Sequence, residues 1–166
     1  RVLASCREPD NANKLCDLKK SFPLLTIYPM DVTKEKSVSE VFARILKEGI
    51  QVDFLFNNAG IMDWSDFSHI KTDSFRKVLE VNVVGAFIVM RRCVLCLKKS
   101  ESPLVINLSS RLGSIELRGN SQLGGAIAYQ CSKAALNMLT KQTSLELNQE
   151  GIRVISQSPG WVKTEM

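Results

Sequence analysis

The chain has 166 residues, the size of one domain, and its 45% apolar share can bury one core. Its 22 basic and 17 acidic residues leave a net charge of +5, scattered in pairs such as Lys19-Lys20, Arg91-Arg92 and Lys98-Lys99. Basic clusters with interleaved aromatics are lacking, as is an apolar run near the roughly 18 residues of a membrane span, so neither nucleic acid nor membrane is expected as a partner.

Val2 to Ser5 reads as a first strand, Asn11 to Lys19 as a helix and Leu24 to Tyr28 as a second strand. On the next helix, Lys34 to Lys47, the residues Val38, Val41, Phe42, Ile45 and Leu46 form one apolar stripe, with Thr33 and Gly49 as caps. Val52 to Phe56 is the third strand, followed by a long helix from Asp73 to Lys99. Leu104 to Leu108, a helix from Gly125 to Gln149, and Ile152 to Ile155 complete the chain. Strands that are apolar throughout, alternating with helices, predict βαβ units and a parallel sheet covered on both faces. The fold class is a doubly wound α/β domain, single over residues 1–166.

The one histidine, His69, lies in a polar stretch from Ser65 to Thr72 and reads as a solvated loop residue. A Ser-His-Asp triad or a histidine metal cage has no other ring to use, so no metal is expected. Of the five cysteines, Cys93 and Cys96 form a CxxC inside an apolar helix, away from the helix N-terminus a redox pair would want. They read as core residues in a reducing, cytoplasmic compartment.

Ligands of such sheets bind beyond the carboxyl ends of the strands. After the second strand, Asp31 can accept hydrogen bonds from an adenine amine, or it or Thr33 can cap the next helix. After the third come Asn57, Asn58, Ala59 and Gly60. Their amides can tie strand ends together and the small residues admit a flat ligand, although a plain turn also fits. The fourth strand ends in Ser109-Ser110, and further on Tyr129 and Lys133 stand at i,i+4 on one helix face. A cation beside a phenol favours phenolate and lowers a pKa that is about 10 in water, making a proton shuttle near neutrality. A Tyr and a Lys on the border of an amphipathic helix is the alternative.

In this order, Asn57-Asn58-Ala59-Gly60, Ser109-Ser110 and Tyr129-x-x-Ser132-Lys133 closely resemble the short-chain dehydrogenase/reductase family, over essentially the whole chain. Asp31-Val32, Asn82 within Val81 to Gly85, and the segment Pro159 to Thr164 match further motifs of that family. The resemblance implies a Rossmann-like sheet and hydride transfer between a nicotinamide and a small carbonyl or alcohol substrate. Tyr129 would be the acid/base, with Lys133 lowering its pKa and binding the nicotinamide ribose. Ser110 would hold the substrate oxygen, and Asn82 would fix a water that relays protons from Lys133. Asp31 and Val32 would hold the adenine, with Asn57, Asn58, Ala59 and Gly60 lining the adenine-ribose side. Beyond Pro159 and Gly160, Val162 would touch the carboxamide and Thr164 would lie near the pyrophosphate.

Arg7 follows the first strand, where this family separates a ribose hydroxyl from a 2′-phosphate. A guanidinium there points to NADP rather than NAD, against the pull of Glu8 and Asp10; an ordinary solvated arginine is the plainer reading. The stretch Leu108 to Thr140 is similar to the C-factor and sniffer-type carbonyl reductases, which implies carbonyl reduction. A non-catalytic nucleotide-binding or scaffold relative is the rival reading.

The family opens with a strand and a Gly-rich turn that seats a pyrophosphate on a helix N-terminus. None of the nine glycines forms that turn, so the chain is expected to be cut at both ends, beginning at the family's second strand. The lacking strand lies between two others, which predicts unpaired backbone in the core, poor NADP binding by this piece alone and a question over its independent folding and activity. Helices 73–99 and 125–149 carry more apolar surface than one sheet contact needs, and the resemblance implies a homodimer through them.

Overall fold

The computed structural model describes residues 1–118 and 124–160. Strands β1 (Val2–Cys6), β2 (Leu25–Pro29), β3 (Phe54–Asn57), β4 (Leu104–Leu108) and β5 (Arg153–Gln157) are interleaved with helices. These are α1 (Asn13–Ser21), α2 (Glu35–Lys47), α3 (Thr72–Leu79), α4 (Ala86–Leu97), α5 (Ile115–Arg118) and α6 (Ile127–Leu147). Every strand pairing is parallel. β1 pairs with β2 from Val2–Leu25 to Cys6–Pro29, while Leu104 of β4 lies opposite both Phe54 of β3 and Arg153 of β5. The α/β class and the parallel pairing match the reading of the sequence. The strands nevertheless form two pieces, of two and three strands. Between them β1 and β3 line a cavity of about 1390 Å³, where unpaired backbone was predicted.

The core lies between these strands and the helices α2 and α4. Val38, Cys93, Cys96, Leu97, Val105 and Ile152 are fully buried in it. Burial pushes both CxxC thiols up, which keeps them protonated and unreactive, as core cysteines are. Helix α2 buries Val38, Val41, Phe42 and Ile45, the predicted stripe. It stops where Gly49 adopts φ +67°, with the Ile50 N–H donating to Ile45 O and the Gly49 N–H to Leu46 O. This 6→1 and 5→2 pairing needs the left-handed residue that glycine supplies. Its start departs from expectation: Lys34, not Thr33, is the N-cap residue, and Thr33 spends its N–H and hydroxyl on the Asp31 carboxylate.

The helix predicted from 73 to 99 is broken. A π-helical turn, Glu80–Gly85, separates α3 from α4. Wider turns of this kind gather at functional sites, and this one turns the Asn82 side chain inward and seats Gly85 on Val32. A Cβ at Gly85 would lie 2.8 Å from Val32 Cγ2, so only glycine fits without displacement. Helix α6 begins at Ile127 rather than Gly125, because Gly125 and Ala126 both hold left-handed backbone. His69 is exposed and its ring meets the Asp66 carboxylate at 2.6 Å, the solvated role predicted for it. Among the described residues no helix is long and apolar enough to cross a membrane.

Leu97 is fully buried while Phe67 is 83% exposed. Leu97→Ala is expected to lower unfolding stability by about 2–5 kcal/mol, and Phe67→Ala to leave it within about 0.5 kcal/mol, in denaturant titrations.

Candidate active site

Four predicted side chains converge where β4 ends against the first turns of α6. Ser110 follows β4 and caps a short turn, its Oγ accepting the Leu112 N–H at 3.2 Å. Gly113, at the end of that turn, presses on the helix: a Cβ there would sit 2.6 Å from the Lys133 carbonyl carbon. No side chain fits in that gap, and the close approach is what puts Ser110 beside Tyr129.

Tyr129 and Lys133 share one face of α6 and are 8% and 4% exposed. The Lys133 ammonium donates to Leu108 O at 2.7 Å and lies 5.4 Å from the Tyr129 ring centroid. Burial pulls the Lys133 ammonium down to about 8. Burial also pushes the Tyr129 phenol above its usual value, against a smaller downward pull from the Ser110 hydrogen bond. The expected lowering of the phenol by Lys133 is therefore absent. With the ammonium turned to Leu108 O, desolvation dominates and the phenol keeps its proton.

Asn82 is 1% exposed. Its Oδ1 accepts the Ile61 N–H at 2.8 Å, and its Nδ2 donates to Ile61 O and to Ser132 Oγ, each at 2.9 Å. The side chain is thus a tether between the β3 loop and α6. Gly60 joins the two halves of the site. A Cβ on it would lie 3.5 Å from Asn82 Oδ1 and 3.7 Å from Lys133 Nζ.

The residues predicted on the adenine side line the cavity beside β1 and β3: Arg7, Asp31, Val32, Asn57, Asn58, Ala59 and Gly60. Asp31 does not cap α2. Its Oδ1 takes both the N–H and the hydroxyl of Thr33, and its own N–H goes to Ser37 Oγ. The Thr33 hydroxyl, above all, holds the carboxyl below its usual range, with smaller pulls from Lys34 and Arg7. The Asn57 amide also ties two strand ends together, as its position allows, donating to Asn107 Oδ1 at 2.8 Å. Pro159 and Gly160 are exposed beyond β5, and Val162 and Thr164 lie outside the described residues.

Sequence reasoning missed several supports. Asn107 is fully buried and donates to Thr140 Oγ1 at 2.9 Å, and the Ser109 hydroxyl donates to Asn137 Oδ1 at 2.6 Å. The signal was there: an Asn in the middle of an apolar strand, Leu104 to Leu108, needs a partner. Ser132, one helical turn beyond Tyr129, was visible only as a motif letter.

The family model for short chain dehydrogenases matches residues 1–166, and the chain belongs to that family. It is 33% identical to an uncharacterized oxidoreductase of Schizosaccharomyces pombe, over 99% of this chain and 64% of that protein. The chain therefore spans somewhat less than two thirds of that relative's length. The NADPH-bound carbonyl reductase from chicken fatty liver is 34% identical with a TM-score of 0.93, covering 99% of this chain and 70% of that one. The carbonyl reductase Sniffer of D. melanogaster is 33% identical with a TM-score of 0.89, over 98% and 70%.

Lys133 at about 8 stands below its ordinary 10.5, so between those values the unfolded chain holds a proton that the folded one has released. Stability then rises with pH across that window, by about 3 kcal/mol in full. Lys133→Met lacks this contribution, and its stability relative to the parent is expected to fall between about pH 8 and 10.5 in denaturant titrations. A difference that does not vary with pH contradicts the burial.

Proposed function

We propose that the protein is an NADP-dependent oxidoreductase that transfers hydride between the nicotinamide and a small carbonyl or alcohol, with Tyr129 as acid/base. The observation that carries this is the packing of Tyr129, Lys133 and the Ser110 strand end into one water-poor site. A scaffold has no use for a lysine that is 4% exposed.

The donor set fits a dinucleotide. Gly60 leaves its backbone open beside Asn82 and Lys133, and Arg7 and Asp31 flank the adjoining cavity. Asp31 and Val32 would hold the adenine, Arg7 a 2′-phosphate, and Lys133 the nicotinamide ribose. When bound, the cofactor supplies the hydride. The phenol of Tyr129, kept protonated by burial, donates to the substrate oxygen in the reducing direction. The Ser110 hydroxyl donates to the same oxygen, and the two together stabilise the charge that grows there.

The similarity to an NADPH-bound carbonyl reductase supports both the cofactor and a carbonyl substrate. β1 and β3 both line the cavity between the two sheet pieces, and one further parallel strand between them would make the pieces a single doubly wound domain. Five free thiols suit a reducing, cytoplasmic setting. Phe87 and Leu95 of α4 with Met138 and Leu145 of α6 leave apolar surface in water, which favours the homodimer through these helices.

Tyr129→Phe is expected to cut NADPH-dependent reduction of reactive aldehydes, ketones or quinones by about 10²–10⁴-fold while NADPH fluorescence titrations show unchanged binding. Unchanged turnover sinks the assignment. Arg7→Glu is expected to move the ratio of kcat/KM for NADPH over NADH towards NADH, and an unmoved ratio removes Arg7 from cofactor choice.

A further inference from the structure

We propose that Ser132 is a positioning residue, the link through which Asn82 and the β3 loop hold the catalytic turn of α6 in place. Ser132 is fully buried. Its hydroxyl donates to the Tyr129 carbonyl at 2.7 Å and accepts from Asn82 Nδ2 at 2.9 Å.

The direction of this chain of hydrogen bonds is forced. The Ile61 N–H can be met only by Asn82 Oδ1, which leaves the amide hydrogens of Asn82 for Ile61 O and Ser132 Oγ. Ser132 then has one hydrogen left, and it goes to Tyr129 O. No side-chain polar atom buried among the described residues lacks a partner, so the chain of hydrogen bonds is closed.

Both ends matter for chemistry. One end is the loop Gly60-Ile61, where Gly60 approaches Lys133 Nζ. The other is the backbone of Tyr129 itself. A shift of the first turn of α6 would carry the phenol away from Ser110, and misplacement near 1 Å can cost about 100-fold in rate. The π-helical turn gives this link its geometry, since it turns Asn82 inward between the loop and α6. Ser132 acts through the Tyr129 main chain, not on substrate.

This inference rests on the acid/base reading of Tyr129, and its test separates the two. The chain has two tyrosines, Tyr28 and Tyr129, so ¹³Cζ-tyrosine labelling gives two resonances that can be followed with pH without any turnover. Ser132→Ala is expected to move the Tyr129 titration midpoint, with the Tyr28 resonance as the internal reference. It is also expected to lower kcat for NADPH-dependent carbonyl reduction by about 10-fold to 100-fold with KM for NADPH within about two-fold. Ser132→Thr, whose hydroxyl can reach the same helical carbonyl, is expected to restore both. Should Ser132→Ala not fold, Ser132→Cys keeps the volume with a weak donor and is expected to show the same shifts in smaller measure. A variant with a lowered Tm but parental Tyr129 titration and kcat overturns the proposal. A parent protein without turnover whose Tyr129 midpoint still moves in Ser132→Ala defeats the oxidoreductase reading and leaves the positioning role standing.

Discussion

An ammonium held out of water against the last carbonyl of a strand sets the terms for everything around it. Lys133 is 4% exposed and its hydrogen bond to Leu108 O is made at the carboxyl end of β4. A buried charge is costly unless its surroundings are fixed, so the helix carrying it must be locked to the sheet. Gly113 does this by contact with the Lys133 backbone, and Asn137 does it by taking the Ser109 hydroxyl. The same desolvation that lowers Lys133 raises Tyr129, which makes both groups readier to carry a neutral form.

Two buried polar chains brace this arrangement from different sides. One runs from Asn57 on β3 through Asn107 on β4 to Thr140 and then to Leu136 O. Asn57 and Asn107 are register partners, so a slip of the β3–β4 pairing would leave buried amides without partners. The other runs from Ile61 through Asn82 and Ser132 to Tyr129. Each chain ends on the backbone of α6, one below Lys133 and one above it. The face of the helix that carries Tyr129 and Lys133 is thereby fixed by polar pairing as well as by apolar packing.

Much of this was legible in the sequence, and the losses have physical causes. The five strands and the apolar stripe of α2 follow from period and composition, which local sequence records well. Tyr129, Lys133, Ser110 and Asn82 do come together as their spacing and motif implied. The break in the 73–99 helix was hidden because a π turn keeps an apolar pattern almost intact, and only the fit of Gly85 on Val32 reveals it. The Asn57 amide ties two strand ends together, as its residue type allows, but its partner Asn107, fifty residues on, cannot be named from local sequence. The pKa relation of Tyr129 and Lys133 failed for a similar reason. Spacing brings two groups near each other but says nothing of how much water remains between them.

The most direct measurement is an NMR titration of the protein labelled with ¹³Cε-lysine, with Lys133→Met to assign the signal. A buried Lys133 is predicted to titrate at about 8. A Lys133 signal that titrates at its ordinary 10.5 would mean that water reaches the ammonium, and a site organised around a desolvated lysine would be ruled out.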